Sequence, residues 1–143
     1  MLCARLRPSN IDASAGCGEE VQRIVAQIRQ VWPQVKITPR GDSGFCRAEL
    51  MVWCAQAGVD YVLGLAKNER LKAESASEQA QAAAECAQTG RAARVFPEFV
   101  YPTRESWSRA RRVVAKAEHL EKGANPRFVV TSLSPAAWAA RAL

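Results

Sequence analysis

The first 66 residues alternate between short apolar runs and amphipathic helical segments, and this order constrains the fold more than any other feature. Residues 2–7 alternate loosely and predict a strand, and residues 35–38 and 61–66 are two further strand-like runs. Between them, the apolar residues of 16–31 recur every three or four positions, and 46–57 repeats that pattern. The β-α-β-α-β order predicts an α/β fold with parallel neighbouring strands and right-handed crossovers.

The apolar residues of these segments indicate a core. The first helix carries a single apolar face, made of Val21, Ile24, Val25, Ile28, Val31 and Trp32. Residues 61–66 are almost continuously apolar, as expected for a central strand covered on both faces. Three tryptophans, Trp32, Trp53 and Trp138, fall at helical spacing, and we expect them to lie in the core.

The second half of the chain has a different character. Residues 72–88 are rich in Ala, Glu and Gln and predict a helix. Strands are predicted at 91–101, 108–118 and 126–133, with a polar loop over 119–125. Pro97 interrupts the first of these strands, which is therefore an edge strand or two short pieces. Ser134 and Pro135 are typical of a helix start, so a last helix is expected from there.

Length and charge narrow the class of protein. The chain has 143 residues, which suits one compact domain, and its net charge is +6. Seven basic side chains lie between Arg104 and Arg127, against three acidic ones. Such a basic stripe fits a polyanion such as nucleic acid, although a solvated arginine-rich face has the same composition.

Cysteine usage and hydropathy exclude other classes. The five cysteines form no C-x-x-C pair, and with a single histidine they argue against a zinc site. An odd number of scattered thiols is typical of a reduced, cytoplasmic protein. Residues 1–10 lack the long apolar stretch expected of a signal peptide, and the sequence contains no apolar run near the roughly 18 residues of a membrane span.

Asp42 is the candidate catalytic and metal-binding residue. It follows the predicted strand 35–38 and precedes the helix 46–57, and ligand sites collect at such strand ends in open α/β sheets. A carboxylate there can bind Mg²⁺ or Mn²⁺, and Gly41 and Gly44 would let substrate approach. Alternatively, Asp42 or Ser43 simply caps the following helix.

The second candidate site is basic. On a strand over 108–118, Arg109 and Arg111 would share one side and Arg112 the other. Arginine suits phosphate recognition, and Trp107 could stack on a base. The alternative is an amphipathic strand whose arginines remain in solvent. The candidate DNA-binding residues are Arg109, Arg111, Arg112, Lys116 and Arg127.

Several long segments resemble one family. Arg40-Gly41-Asp42-Ser43-Gly44-Phe45, followed by residues 50–54 and 58–66, resembles bacterial insertion-sequence transposases with a DDE catalytic domain. Residues 4–10, 106–109, 111–118 and 125–133 resemble the same family. The resemblance covers essentially the whole chain and keeps its order.

This resemblance implies a partial RNase H-like fold with a β-rich insertion. In that family three acidic residues hold two divalent metals, which activate water or a DNA 3′-hydroxyl for attack on a phosphodiester. The family's second aspartate corresponds to Asp42. Residues 1–71 would form the partial core, 72–133 the helix and β-rich insertion, and 134–143 the start of a truncated helix.

The family's first aspartate and its glutamate have no counterpart in this sequence. We therefore expect an internal fragment that does not bind Mg²⁺ or Mn²⁺ stably and is inactive by itself, although its parent would cut and join transposon-end DNA. An exposed sheet edge would favour aggregation or pairing with another chain, for example in a homo-oligomer. The alternatives are a non-catalytic DNA-binding remnant and an inert product of a decayed insertion element.

Overall fold

The computed structural model describes residues 8–12 and 14–143, and in this part helices pack on a seven-stranded mixed sheet. The helices are α1 (Cys17–Val31), α2 (Ala48–Gln56), α3 (Glu69–Glu74) and α4 (Ala76–Thr89). The strands are β1 (Arg40–Gly41), β2 (Val62–Leu65), β3 (Ala93–Val95), β4 (Glu98–Tyr101), β5 (Arg111–Leu120), β6 (Gly123–Ala124) and β7 (Arg127–Thr131). The α/β class is confirmed, whereas the predicted strand over 2–7 lies outside the described residues.

The sheet is mixed because its second half pairs antiparallel. The strand order is β1-β2-β7-β5-β3, and β4 and β6 also pair with β5. Strands β1 and β2 are parallel, as predicted, while every other pairing is antiparallel. Since β2 pairs with β7, one sheet joins the predicted core to residues of the predicted insertion. The division of the chain at residue 71 stays a prediction.

Helices α1 and α2 and strand β2 form within the segments 16–31, 46–57 and 61–66, as their apolar patterns predict. Helix α1 buries Val25 and has Glu19 and Glu20 in its first turn, where the helix dipole favours acidic groups. The prediction for Trp32 is wrong, because the residue is 61% exposed. Its backbone leaves the helix at φ −129° and ψ 81°, so its side chain no longer follows the apolar face.

The predicted strand over 35–38 is also wrong, since the regular ladder begins only at Arg40. Val62 N–H donates to the carbonyl of Pro39, and Asp60 N–H donates to that of Ile37, so this segment does run beside β2. Proline has no N–H to return a hydrogen bond to the neighbouring strand. Pro39 thereby shortens β1 to two residues.

The predicted helix over 72–88 is instead two helices that meet at Ser75. The Ser75 hydroxyl is buried and donates to the Leu71 carbonyl, which competes with the regular helical pattern. The Asn68 side chain accepts from Leu71 N–H and caps α3. The break turns α3 so that Leu71 joins the core.

The later strands follow the prediction with shifted ends. β3 and β4 lie on either side of Pro97, which confirms the two short pieces. β5 begins at Arg111 rather than at residue 108, and it extends to Leu120 through part of the predicted loop. Gly123, at φ 109°, turns the chain back into β6.

The predicted final helix is wrong. Ser134 caps a single turn through its hydroxyl, which accepts from Ala137 N–H, but Ala139 is extended at ψ 148° and ends the turn. A short 3₁₀ helix, Ala140–Ala142, follows. Trp138, predicted to be buried by helical spacing, is 47% exposed because that spacing is not realised.

The two faces of the sheet are covered differently. Helices supply Val25, Leu50, Met51, Cys54 and Leu71 to a core that also contains alternate residues of β5 and β7. Residues 134–143 run along the opposite face, where Arg112 donates to the carbonyls of Leu133 and Trp138 and Arg40 donates to that of Leu143. Within the described residues, none of the helices is long and apolar enough to cross a bilayer.

Candidate metal and nucleic-acid site

Asp42 lies at the carboxyl end of β1 and is exposed. Its Oδ1 accepts from Gly44 N–H at 2.9 Å, and the side chain thus caps a 3₁₀ helix, Ser43–Phe45. Helix α2 begins after Arg47 and has no side-chain cap. Asp42 therefore is a cap, but of the short turn rather than of the helix 46–57. Within the described residues its Oδ2 has no hydrogen-bond donor.

Gly64 on the neighbouring strand makes room for the Asp42 turn. A Cβ at Gly64 would lie 2.9 Å from Ser43 N and 3.1 Å from the carbonyl carbon of Asp42. Any side chain would push this turn off the sheet. Sequence reasoning did not single out Gly64, although a glycine inside an apolar strand is a recognised sign of close backbone approach.

The described residues do not form a metal site around Asp42. Among them, no group of three His, Cys, Asp or Glu side chains could hold an ion. Asp60 precedes β2, and because β1 and β2 are parallel it lies at the end of the sheet away from Asp42. A hard cation such as Mg²⁺ needs several oxygen ligands, so Asp42 and its neighbours do not fit a resident two-metal centre.

Of the five predicted DNA-binding residues, Arg111 has the most unusual setting. It is 5% exposed and points to the helix-covered side of the sheet with Val113 and Ala115. Its Nη1 donates to the Tyr61 hydroxyl at 2.8 Å, and its guanidinium lies 5.9 Å from the centre of the Tyr61 ring. Arg109 is exposed and lies before β5, so the two do not share a strand face.

Arg112, Lys116 and Arg127 lie on the other face of the sheet. Arg112 ion-pairs with Glu98. Lys116 and Arg127 are directly opposite each other on β5 and β7. Lys116 also pairs with Glu118 at 2.8 Å, while Arg127 is exposed and forms no ion pair with a described residue. Because Glu118 compensates Lys116, the open charge of this opposed pair is that of Arg127.

Glu118 is a buried carboxylate with several donors. It accepts from Arg94 Nε at 2.5 Å and Asn125 Nδ2 at 2.8 Å, and it pairs with Lys116. Hydrogen bonds from Lys116 and then Arg94 lower the pKa of the Glu118 carboxyl from 4.5 to about 2. This group is charged and fully engaged, which indicates a structural role.

The structure thus brings Arg112, Lys116 and Arg127 to one face and leaves Arg111 on the other, with Asp42 at the edge strand. Comparison with known proteins places the whole sequence in one group. A family model described as "Transposase DDE domain group 1" matches residues 1–143. The chain matches no curated protein sequence and no solved structure.

Proposed function

This chain belongs to the transposase DDE domain family, and we therefore propose that it serves metal-dependent DNA cleavage and strand transfer as part of a transposase. Asp42 would be one of the three carboxylates of an RNase H-like site. The observation that carries the proposal is its position: an exposed carboxylate with an open Oδ2 at the carboxyl end of a parallel strand pair. Gly64 gives the turn that carries Asp42 its space against the sheet.

The arrangement of elements supports the RNase H-like part of this proposal. Helix α1 precedes β1 in the chain, and α2 connects the parallel strands β1 and β2. Both helices bury residues against the same side of the sheet. A strand-helix-strand unit of this kind presents its strand ends to a ligand at one edge.

Asp42 by itself does not support two-metal chemistry, and we derive no catalytic step through a metal in this chain. When bound in a complete site, divalent cations activate the attacking oxygen and stabilise the leaving one. The chain's own contribution is to hold one carboxylate at a fixed point on β1. We therefore expect the 143-residue chain to show no Mg²⁺-dependent cleavage of transposon-end DNA.

Mn²⁺ provides a direct test of the role of Asp42. Paramagnetic Mn²⁺ should broaden the amide signals of residues 41–45 and of Gly64 before those of the rest of the sheet. Asp42→Asn should remove this local broadening, and Asp60→Asn, at the opposite end of the parallel pair, should leave it intact. Equal broadening in Asp42→Asn would show that Asp42 is only a turn cap.

A second candidate, DNA binding without cleavage, is favoured by the exposed charge of Arg127 and its pairing opposite Lys116. Arg109 is a further exposed basic side chain, just before β5. Counterion release predicts that affinity for duplex DNA falls steeply with salt, and loss of one phosphate contact should lower the salt slope by about one.

Band-shift titrations at several salt concentrations test this surface. Arg127→Gln and Arg109→Gln should each weaken binding evenly across DNA sequences. Arg91→Gln removes an exposed charge near the other end of β5 and is the matched control. Affinity that does not change with salt would contradict the DNA-binding proposal.

Four described cysteines are free thiols, which supports a reducing, cytoplasmic setting for this activity.

A further inference from the structure

Arg111 is a buried cation that lacks an anionic partner. One of its nitrogens, Nη1, donates to the Tyr61 hydroxyl, whereas Nε is buried and has no acceptor within the described residues. None of the described Asp and Glu side chains forms an ion pair with it. The remaining residues, 1–7 and 13, contain no Asp or Glu. The chain therefore provides no carboxylate side chain to neutralise Arg111.

The Cys46, Cys54 and Tyr61 side chains do not carry the missing negative charge either. Burial raises the pKa of the Cys46 and Cys54 thiols to about 11 each, so both are neutral near pH 7. Burial also raises the pKa of the Tyr61 hydroxyl. Arginine stays charged in proteins, and an unpaired buried charge is costly. Water could satisfy Nε, but it would leave the charge uncompensated.

A surface cavity of about 300 Å³ lies against Arg111. The polar side chains in its wall belong to Tyr61, Arg109, Arg111, Arg112, Thr131 and Ser132, together with Ser134. No Asp or Glu lines it. Arg112 is already paired with Glu98, which leaves the charges of Arg111 and Arg109 facing this space. Its volume is at the lower end of the roughly 300–1,000 Å³ of small-molecule sites.

We propose that this cavity is an oxyanion site that binds a phosphate group through Arg111, with Arg109 at its mouth. A phosphate in this cavity would supply, beside the Arg111 guanidinium, the negative charge that the chain does not provide. The choice of a DNA phosphodiester as its natural source rests on the proposed function. The site itself does not, since it uses residues away from Asp42.

Titration of the full chain with inorganic phosphate, at constant ionic strength set with chloride, tests the site by calorimetry. Wild type should bind saturably. The double variant Arg111→Met with Tyr61→Phe removes the charge and both partners of the hydrogen bond while keeping the packing. It should bind phosphate at least about tenfold more weakly, since charge-assisted hydrogen bonds are lost.

Two surface variants keep the test decisive if the double variant does not fold. Arg109→Gln should weaken phosphate binding about threefold or more, as the second charge at the cavity is lost. Arg91→Gln should bind as wild type does. Absence of saturable binding by wild type, or unchanged affinity in Arg109→Gln and in a folded double variant, would overturn the proposal.

A short DNA duplex distinguishes the source of the phosphate. If the duplex displaces inorganic phosphate, the site takes a backbone phosphodiester. If phosphate binds and the duplex does not displace it, the oxyanion site stands as a site for free phosphate. The DNA-binding proposal is tested separately, by the salt titrations with Arg127→Gln, because Arg127 does not line this cavity.

Discussion

Strand β5 carries two buried charges, seven residues apart, and only one of them has partners of opposite charge. Glu118 and Arg111 are each 5% exposed. Glu118 is surrounded by Lys116, Arg94 and Asn125, so its charge and its oxygens are satisfied. Arg111 has one neutral partner, Tyr61, and a buried Nε without an acceptor.

The difference separates a structural ion cluster from a candidate binding group. A buried charge that is paired and hydrogen-bonded has its desolvation cost offset inside the fold. A buried charge without a counterion leaves that cost in place until a ligand arrives, and such unsatisfied groups concentrate at functional sites. Three experiments test this contrast.

The largest effect is expected for Glu118→Ala. It removes the acceptor shared by three donors, and breaking a buried charge cluster costs about 3 kcal/mol of unfolding free energy. Urea unfolding followed by circular dichroism measures it. Glu98→Ala, which breaks the more exposed pair with Arg112, is the control and should cost about 1 kcal/mol or less. Similar losses of unfolding free energy in both variants would show that the Glu118 cluster stabilises the fold no more than the Glu98–Arg112 pair does.

An intermediate effect is expected from acid. The pKa of Glu118 is about 2 in the folded chain, below its ordinary value of 4.5, so the carboxylate stabilises the fold above pH 4.5. That contribution should fall away between about pH 4.5 and pH 2. In Glu118→Gln the unfolding free energy should change less steeply with pH in this window, because about one proton fewer is taken up on unfolding. Equal slopes in both proteins would contradict the lowered pKa.

The smallest effect on stability is expected for Arg111→Met combined with Tyr61→Phe, measured without phosphate. Replacing both partners of a buried polar contact by apolar groups of similar shape is close to neutral, within about 1 kcal/mol, or stabilising. Arg111→Met alone should be worse, because it leaves the buried Tyr61 hydroxyl without its donor. A loss in the double variant as large as in Glu118→Ala would show that Arg111 is a structural residue.

Much of the fold was predictable because its signals are local. The apolar faces of α1 and α2 and the continuous apolar run of β2 depend on residues within one helix or strand. Pro97 likewise divided β3 from β4 as expected, since proline acts on its own backbone. The errors arose where hydrogen bonds to backbone carbonyls decided the outcome, as at Pro39 and Ser75.

The candidate site was predictable only in part. The position of Asp42 at a strand end followed from the order of elements, and the structure retains it. The sheet face on which each arginine lies was harder to predict. Strand β5 begins at Arg111, and this start decides which of its side chains point to the helices. From the sequence alone, a run of arginines suggests a solvent-exposed basic surface, and the buried ones can be identified only once the partner strands are known.

The sequence was enough to predict the α/β class, the two helices before β2, the place of Asp42 and the family, since each depends on local patterns or on residue identity. The folded chain was needed to show that β2 pairs with β7, that Gly64 gives the Asp42 turn its space, and that Arg111 is buried without a counterion. Strand pairing joins residues far apart in the chain, and that pairing sets which charges are neutralised and which remain open to a ligand.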